Sequence, residues 1–427
     1  MKKMIISGVT ALALLTGGVV GVGGVGSSVE AAQATLKFKD VPSTHWAAGA
    51  INSAVEQGYF KGYTDGTFKP SSPVTKAEMA SILGRLSYQP NASSPGINNF
   101  TDVPEWAKGG VSAAIQKGFI NPTSYQGKLD AKASLKRGEM AIWLTQGLAT
   151  VDLDYKQALS DVKNTVIPAK EYFTGNLATS QKNAVAVAMG TGLMSVYNDK
   201  MFGADRTTTR AEVAVLIARY GTVAKTKPSN YKGLNELRQV GLKGTNLNLI
   251  TSYFKKTPEG KILLSGNRKY DEVVTDDFSK VRNKEIITDT SYADLKVLNW
   301  IIIDTNVAEK DQSIYYPVFV DEGVKLQSGK YFSFVEFNLN IKSNSMSQLQ
   351  AGGLLNSATF NPLLSPRSKA FSLYGAPKTG DYIKDRVFVI KNPTYWAEGL
   401  LHFKESTARA VTLETKEGPT FSVSYTP

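Results

Sequence analysis

Three basic residues occupy equivalent places in the first half of the chain, each two positions before a glutamate. They lie in Thr75-Lys76-Ala77-Glu78, Lys136-Arg137-Gly138-Glu139 and Thr209-Arg210-Ala211-Glu212. An apolar helical pattern follows each segment, which places the basic residue in the first turn of a predicted helix. The helix dipole disfavours positive charge there. Lys76, Arg137 and Arg210 therefore indicate binding of an external anion, which the N–H groups of the same turn are expected to help hold.

The threonine and glutamate of these segments also have a purely structural interpretation. Thr75 with Glu78 and Thr209 with Glu212 match the helix capping box, in which each side chain accepts a backbone N–H of the first turn. In the middle segment Lys136 replaces the threonine, although Ser134 is an alternative cap. Because lysine is a point charge and arginine a planar fork, we rank Arg210 and Arg137 ahead of Lys76 as binding residues.

Two tryptophans are further candidates for ligand contact. Trp46 and Trp106 each precede a glycine, Gly58 or Gly118, by the same number of residues. The indoles are interpreted either as core anchors or as platforms that stack on the apolar face of a sugar ring. Both tryptophans are kept among the candidate binding residues.

These features belong to a module repeated three times, a pattern that must be recognised before any local prediction. The repeats begin at Phe38–Val41, Phe100–Val103 and Leu159–Val162. Each is predicted as helix, loop, helix, and the three are expected to share one core. The predicted core positions of the second helices are Met79, Ile82, Leu83 and Leu86, then Met140, Trp143, Leu144 and Leu148, then Val213, Leu216, Ile217 and Tyr220.

The third repeat departs from this pattern in its first half. More residues separate Asp161 from Gly190 than separate the aspartate from the glycine in the other repeats, and Ala178 stands at the tryptophan position. Tyr172 and Phe173 are both candidates to fill the space of the missing indole.

The amino terminus has the features of a secretory signal peptide. Lys2 and Lys3 precede an uncharged apolar stretch, and small residues suited to cleavage follow at 29–34. We predict a signal peptide over 1–31, with cleavage after Ala34 as the second choice and a retained anchor helix as the alternative. A secreted protein with no transmembrane segment after cleavage is expected.

Composition narrows the function classes further. The chain has no cysteine and two histidines, so a thiolate metal site or cysteine nucleophile is excluded. No metal, no cofactor and no nucleic-acid partner are predicted. The net charge of +12 favours an anionic wall polymer or lipid surface as partner, while the alternative is that it only maintains solubility.

Beyond residues 225–231, which are interpreted as a linker, the pattern becomes alternating and predicts a β-rich, sandwich-like domain over 232–427. Strands are predicted at 262–264, 295–303, 314–320, 331–341, 387–390, 411–413 and 421–425. The catalytic motifs searched for are missing. Asp276, Asp277, Asp304 and His402 remain as weak candidates, more readily explained as turn or surface residues.

The strings FKDVPSTHWA, GYTDGTFKP and TKAEMASIL resemble those of the S-layer homology domain, as do FTDVPEWA with KRGEMAIWL and TTTRAEVAVLIARY. The resembling repeats span 36–90, 98–150 and 157–224. The resemblance implies an all-α, pseudo-threefold bundle whose inter-repeat grooves anchor exported proteins to an anionic, pyruvylated secondary cell wall polymer. Arg137 and Arg210 match the arginine that would meet the pyruvate carboxylate, and Lys76 matches it approximately.

The sequence thus predicts a non-enzymatic surface protein with polymer-binding residues Lys76, Arg137, Arg210, Trp46 and Trp106. A small S-layer or S-layer-associated protein, with self-assembly into a lattice, is the leading hypothesis. The alternatives are a wall-anchored hydrolase and a ligand-binding surface protein whose activity resides in the C-terminal domain.

Overall fold

A helical region is followed by a β-rich region in the structure, a computed structural model that describes residues 38–86, 99–289, 291–343, 345–355, 357, 359–403 and 410–427. The predicted signal peptide lies outside the described residues. The helices of the repeats are α1 (Ala48–Glu56), α2 (Lys76–Gly84), α3 (Glu105–Gln116), α4 (Arg137–Val151), α5 (Leu153–Asp161), α6 (Lys170–Phe173), α7 (Thr179–Gly190) and α8 (Arg210–Val223).

The repeats close into the pseudo-threefold bundle that the sequence predicts. The second helix of each repeat packs on the first helix of the next, in the pairs α2–α3, α4–α7 and α8–α1. At the centre, three backbone hydrogen bonds form a ring. Val74 N donates to Thr208 O at 3.0 Å, Thr208 N to Leu135 O at 3.1 Å, and Leu135 N to Val74 O at 2.8 Å. Each repeat therefore depends on both others for its backbone pairing.

The predicted register of the second helices is confirmed, because every core position named for them is buried. Both predicted capping boxes are present, at Thr75 with Glu78 and at Thr209 with Glu212. Helix α4 begins at Lys136 without a side-chain cap. Its first two N–H groups, those of Arg137 and Gly138, donate instead to the carbonyls of Arg206 and Ala204 in the third repeat.

The irregular third repeat is explained by a change of acidic residue. In the first two repeats, Asp40 and Asp102 accept two backbone N–H bonds each from the loop before the second helix. In the third repeat this role belongs to Glu171, which accepts from Phe202 N and Gly203 N. Asp161, the residue that the sequence pattern suggested, instead binds Arg238. Asp161 is the last residue of the additional helix α5, whereas Glu171 lies in the next helix, α6.

Helices α2 and α3 approach each other through glycine. A Cβ on Gly110 would lie 2.7 Å from the Cα and Oγ of Ser81, whereas a Cβ on the adjacent Gly109 would meet nothing within 4 Å. We expect Gly110→Ala to lower the free energy of unfolding by about 1–3 kcal/mol, as overpacked cores do. Gly109→Ala should raise it by up to about 1 kcal/mol through helix propensity. Denaturant unfolding of both variants tests this, and equal effects would contradict the tight helix contact.

The β-rich region contains helices α9 (Lys232–Lys243), α10 (Leu247–Ile250), α11 (Tyr270–Val273), α12 (Tyr316–Phe319), α13 (Gln348–Gly352) and α14 (Lys369–Leu373). Its strands are β1 (Phe254–Lys256), β2 (Val274–Thr275), β3 (Glu285–Ile286), β4 (Ala293–Ile303), β5 (Lys330–Ile341), β6 (Ile383–Lys384), β7 (Val387–Phe388), β8 (Thr394–His402), β9 (Val411–Glu414) and β10 (Thr420–Tyr425). No helix among the described residues is both long and apolar enough to cross a membrane.

Two four-stranded sheets organise this region. One has the order β3-β4-β5-β8 and is antiparallel; in the other, β10 pairs with β1, β2 and β9. Tyr331, Val335 and Phe337 of β5 share a core with Phe421 and Val423 of β10, so the sheets pack on each other. The predicted strands at 262–264 and 314–320 are wrong, since the first segment is irregular and the second contains α12.

The helical and β-rich regions share a hydrophobic core. Phe332 and Phe334, on the other face of β5, belong to the same buried cluster as the helices of the repeats. The segment predicted as a linker includes a 3₁₀ helix, Pro228–Asn230, in which Pro228 is buried. Helix α9 follows directly and packs on α5 and α7. Arg238 of α9 binds both carboxylate oxygens of Asp154, at 2.9 and 3.1 Å.

Candidate anion-binding grooves

Each of the three basic residues lies in a groove between its own repeat and the next one. We name the grooves by these residues: the Lys76 groove faces the loop 123–134, the Arg137 groove faces 195–206, and the Arg210 groove faces 61–72. Each basic residue thus lies at a boundary between two repeats. The three residues do not meet in one site but occupy three separate grooves. The pseudo-threefold arrangement makes these sites equivalent in backbone and different in side-chain chemistry.

Arg137 and Arg210 make the same contacts. The Nε of Arg210 donates to Phe68 O at 2.7 Å and its Nη2 to Lys61 O at 2.8 Å. In Arg137, Nε donates to the equivalent carbonyl of Phe202 at 2.8 Å and Nη2 to that of Ser195 at 2.7 Å. Both residues are only 7% exposed. Each guanidinium is therefore fixed in position by the loop of the next repeat, with its Nη1 edge unused by these bonds.

Aromatic rings surround both guanidinium groups. Arg210 lies 4.6–5.0 Å from the ring centres of Phe60, Tyr63 and Phe68. Arg137 lies 4.7 Å from the ring centre of Tyr197 and 5.0 Å from that of Phe202. Burial lowers the pKa of both arginine side chains, but an arginine starts so far above neutrality that both remain charged.

The charges of the two arginines have no close acidic partner. In the described part of the chain, no carboxylate forms an ion pair with either guanidinium, and their nearest hydrogen-bond partners are neutral carbonyl oxygens. A buried charge is expensive unless it is paired. Glu212 raises the pKa of Arg137, and Glu78 and Asp40 raise that of Arg210, without a direct ion pair. Each guanidinium therefore remains able to pair directly with an anion from outside.

Lys76 differs, because its charge is already paired inside the protein. Its Nζ lies 3.1 Å from Glu139 and 3.9 Å from Asp130. Glu139 also accepts a hydrogen bond from the hydroxyl of Tyr125 at 2.6 Å. The Lys76 groove consequently offers less free positive charge than the other two grooves.

The expectation that first-turn N–H groups help to hold an anion is wrong. The N–H of Arg210 donates to Ser72 O and that of Ala211 to Pro70 O, while Glu212 N donates to the Thr209 side chain. The N–H groups of Lys76 and Ala77 are used in the same way by the second repeat. These donors join the repeats, so the arginine side chains must supply the positive charge of the grooves.

Tyr63, Tyr125 and Tyr197 were missed by the sequence analysis. They occupy equivalent positions in the three loops, and each ring lies within 5.7 Å of a groove cation. Their signal was present in the sequence: each follows its repeat glycine by a short, nearly constant interval. A tyrosine beside a fixed guanidinium provides an apolar ring face and a hydroxyl within one groove.

Trp46 and Trp106 lie at the surface, 66% and 64% exposed. Their interpretation as core anchors is therefore wrong. Because these indoles fill no core space, Ala178 at the equivalent position of the third repeat creates no gap that Tyr172 or Phe173 must fill. The ring of His45 stacks near that of Trp46, at 5.8 Å between centres. Exposed indoles remain available to stack on a sugar, although they lie outside the contacts of the three basic residues.

The weak catalytic candidates are engaged in local contacts. Asp277 caps the 3₁₀ helix Phe278–Lys280 and pairs with Lys243 at 2.9 Å. Asp304 accepts a hydrogen bond from Asn306 N, and burial lowers the pKa of His402 at the end of β8. Among the described residues, no group of three or more acidic or histidine side chains is arranged to hold a metal ion.

The S-layer homology domain matches the chain at residues 37–80, 99–141 and 178–214. The chain is also similar to the cellulosome-anchoring protein of Acetivibrio thermocellus, at 30% identity over 27% of this chain and 26% of that protein. The S-layer protein sap of Bacillus anthracis is 26% identical over 68% of this chain and 33% of that protein. The S-layer protein of Bacillus thuringiensis subsp. finitimus is 23% identical over 72% of this chain and 35% of that protein.

The matched segments span about a third or less of each of these relatives. The similarity to the two S-layer proteins covers more residues than the whole interval 37–214, so it continues past the repeats. The third match begins after Glu171, in agreement with the late start of the third repeat in the structure. The chain therefore carries three S-layer homology domains and is a secreted, cell-wall-associated surface protein.

Proposed function

We propose that the protein is anchored non-covalently to the cell wall by the Arg137 and Arg210 grooves, which bind the carboxylates of an anionic, pyruvylated secondary cell wall polymer. The observation that carries this proposal is the pair of buried guanidinium groups without a carboxylate partner. Each presents a fixed charge beside a tyrosine ring, and a charge-assisted hydrogen bond to a carboxylate is stronger than a neutral one.

The β-rich region is proposed to face away from the wall as part of a small S-layer or S-layer-associated protein. The relatives named as S-layer proteins support this role, because their similarity extends beyond the repeats. Self-assembly into a lattice belongs to the same proposal. The hydrolase alternative is less favoured, since Asp277 caps a 3₁₀ helix and Asp304 accepts a local hydrogen bond from Asn306 N.

The test is sedimentation of the mature chain, residues 32–427, with purified wall sacculi. Sacculi that keep their anionic polymer should carry the protein down, and sacculi stripped of it should not. Arg137→Ala should weaken binding about tenfold or more, since a hydrogen bond to a charged group contributes roughly 1.5–3 kcal/mol. Lys76→Ala should cost less, because Glu139 and Asp130 already neutralise this lysine.

The matched control is Lys255→Ala, which removes an exposed cation from β1 in the β-rich region. Its binding should equal that of the parent protein, and circular dichroism should verify that each variant is folded. Equal sedimentation with stripped sacculi, or equal affinity of the Arg137 and Lys255 variants, would refute the assignment of the grooves.

A further inference from the structure

A polar cleft lies where the third repeat meets the β-rich region. This junction cleft has a volume of about 710 Å³ and is lined by Lys163, Tyr172 and Lys182 from the repeat and by Arg282, Asn299 and Glu336 from the β-rich region. None of these residues contributes to the three grooves. Clefts with a few convergent polar groups are the usual places for small ligands.

An irregularity of the sheet directs polar side chains into the junction cleft. The register between β4 and β5 shifts between Val297 and Asn299, after which Asn299 pairs with Glu336. The Nδ2 of Asn299 donates to Glu336 Oε2 at 2.5 Å. Bulges of this kind redirect side chains and are common beside binding sites. One oxygen of Glu336 is thus held by Asn299, and the residue lines the cleft.

Arg282 fixes the two walls of the cleft. Its Nε donates to Leu298 O at 2.9 Å and its Nη1 to Gly241 O at 2.9 Å. Its Nη2 donates to Asn164 O and to Asn299 Oδ1, both at 2.7 Å. These acceptors come from the repeat, α9 and β4, and all are neutral. Arg282 therefore holds the walls of the cleft together through neutral acceptors, with Glu336 as a nearby carboxylate.

The junction cleft is positively charged overall, since three cations face a single carboxylate. Burial raises the pKa of Glu336, while nearby Arg282 has a smaller opposing effect. Lys182 Nζ lies 5.6 Å from the ring centre of Tyr172. Burial also raises the pKa of Tyr172, so its hydroxyl stays protonated and can donate a hydrogen bond. An aromatic face, amide and carboxyl acceptors, and lysine cations are thus gathered in one place.

We propose that the junction cleft is a second glycan-binding site, which binds an anionic saccharide independently of the grooves. Lys163 and Lys182 pair with the acidic group of the sugar, while Glu336 and Asn299 accept or donate hydrogen bonds to its hydroxyl and amide groups. The ring of Tyr172 packs on the apolar face of the sugar. A glycan held here would contact the repeats and the β-rich region at the same time.

Lysine acetylation of the mature chain tests this site residue by residue. The probes are soluble fragments of the anionic wall polymer and, in a second arm, soluble glycan strands of peptidoglycan. We expect the bound saccharide to slow the acetylation of Lys163 and Lys182 at least about threefold, as an ion pair at an exposed site does. Exposed Lys255 in β1 should be unaffected. The arm that protects the lysines identifies the source of the glycan.

Two comparisons make the result decisive. Lys69 lies over Tyr63 in the Arg210 groove, so its protection reports the groove and separates failure of the anchoring proposal from failure of this one. In Lys182→Gln the protection of Lys163 should fall. The proposal is overturned if neither probe protects Lys163 and Lys182, if Lys255 is protected equally, or if fragments with reduced carboxyl groups protect as well as the acidic ones.

Discussion

Replacing Arg210 by alanine should destabilise the repeat bundle as well as weaken its binding to the wall polymer. The substitution leaves the carbonyls of Phe68 and Lys61 without this donor, and an unsatisfied buried acceptor such as that of Phe68 costs about 1–3 kcal/mol. It also opens a cavity among Phe60, Tyr63 and Phe68. We expect the free energy of unfolding to fall by about 2–5 kcal/mol, measured by denaturant unfolding followed by circular dichroism.

Arg206→Ala is the matched control for this substitution. Arg206 stacks on the equivalent tyrosine, Tyr197, but it is exposed and pairs with the exposed Asp199. Such surface pairs contribute little, so stability should change by less than about 1 kcal/mol. If Arg210→Ala unfolds at the same denaturant concentration as the parent, the arginine does not join the first and third repeats.

Gly241→Ala should uncouple the β-rich region from the repeats. A Cβ at this position of α9 would lie 2.0 Å from the backbone oxygen of Asp161 and 3.1 Å from Val162 Cα. Neither backbone can yield as a flexible side chain would, so α9 must move away from the third repeat. We expect a loss of about 3 kcal/mol or more in the free energy of unfolding, together with new proteolytic cleavage within residues 225–231.

The matched control is Gly49→Ala in α1, where an added Cβ meets nothing within 4 Å. This variant should be as stable as the parent or slightly more stable, since alanine favours the helix. Calorimetry and limited proteolysis measure both variants side by side. Unchanged melting and protease resistance in Gly241→Ala would show that contact between α9 and the third repeat is dispensable for the shared core.

The sequence by itself determined the repeats, their helices and the positions of the groove cations. These features depend on local order along the chain: apolar spacing places Met79 or Leu144 on a buried face, and Thr209 with Glu212 starts a helix wherever it occurs. Long alternating strands such as β5 were also predictable, because their period of two persists over many residues. Strand β8 was missed, since Glu398 and Gly399 interrupt its apolar run and become buried only through tertiary pairing with Arg367 and Ser333.

Only the tertiary structure decided what the motif residues contact. First-turn N–H groups that look free in a single helix are used by the next repeat. Glu171, and not Asp161, accepts the N–H of Phe202 in the loop before α8. Similarly, equal basic residues become unequal, because Glu139 forms an ion pair with Lys76 whereas no described carboxylate lies within ion-pair distance of Arg137. Burial and charge pairing depend on neighbours distant in sequence, so spacing along the chain fixes where a cation stands but not whether its charge is free.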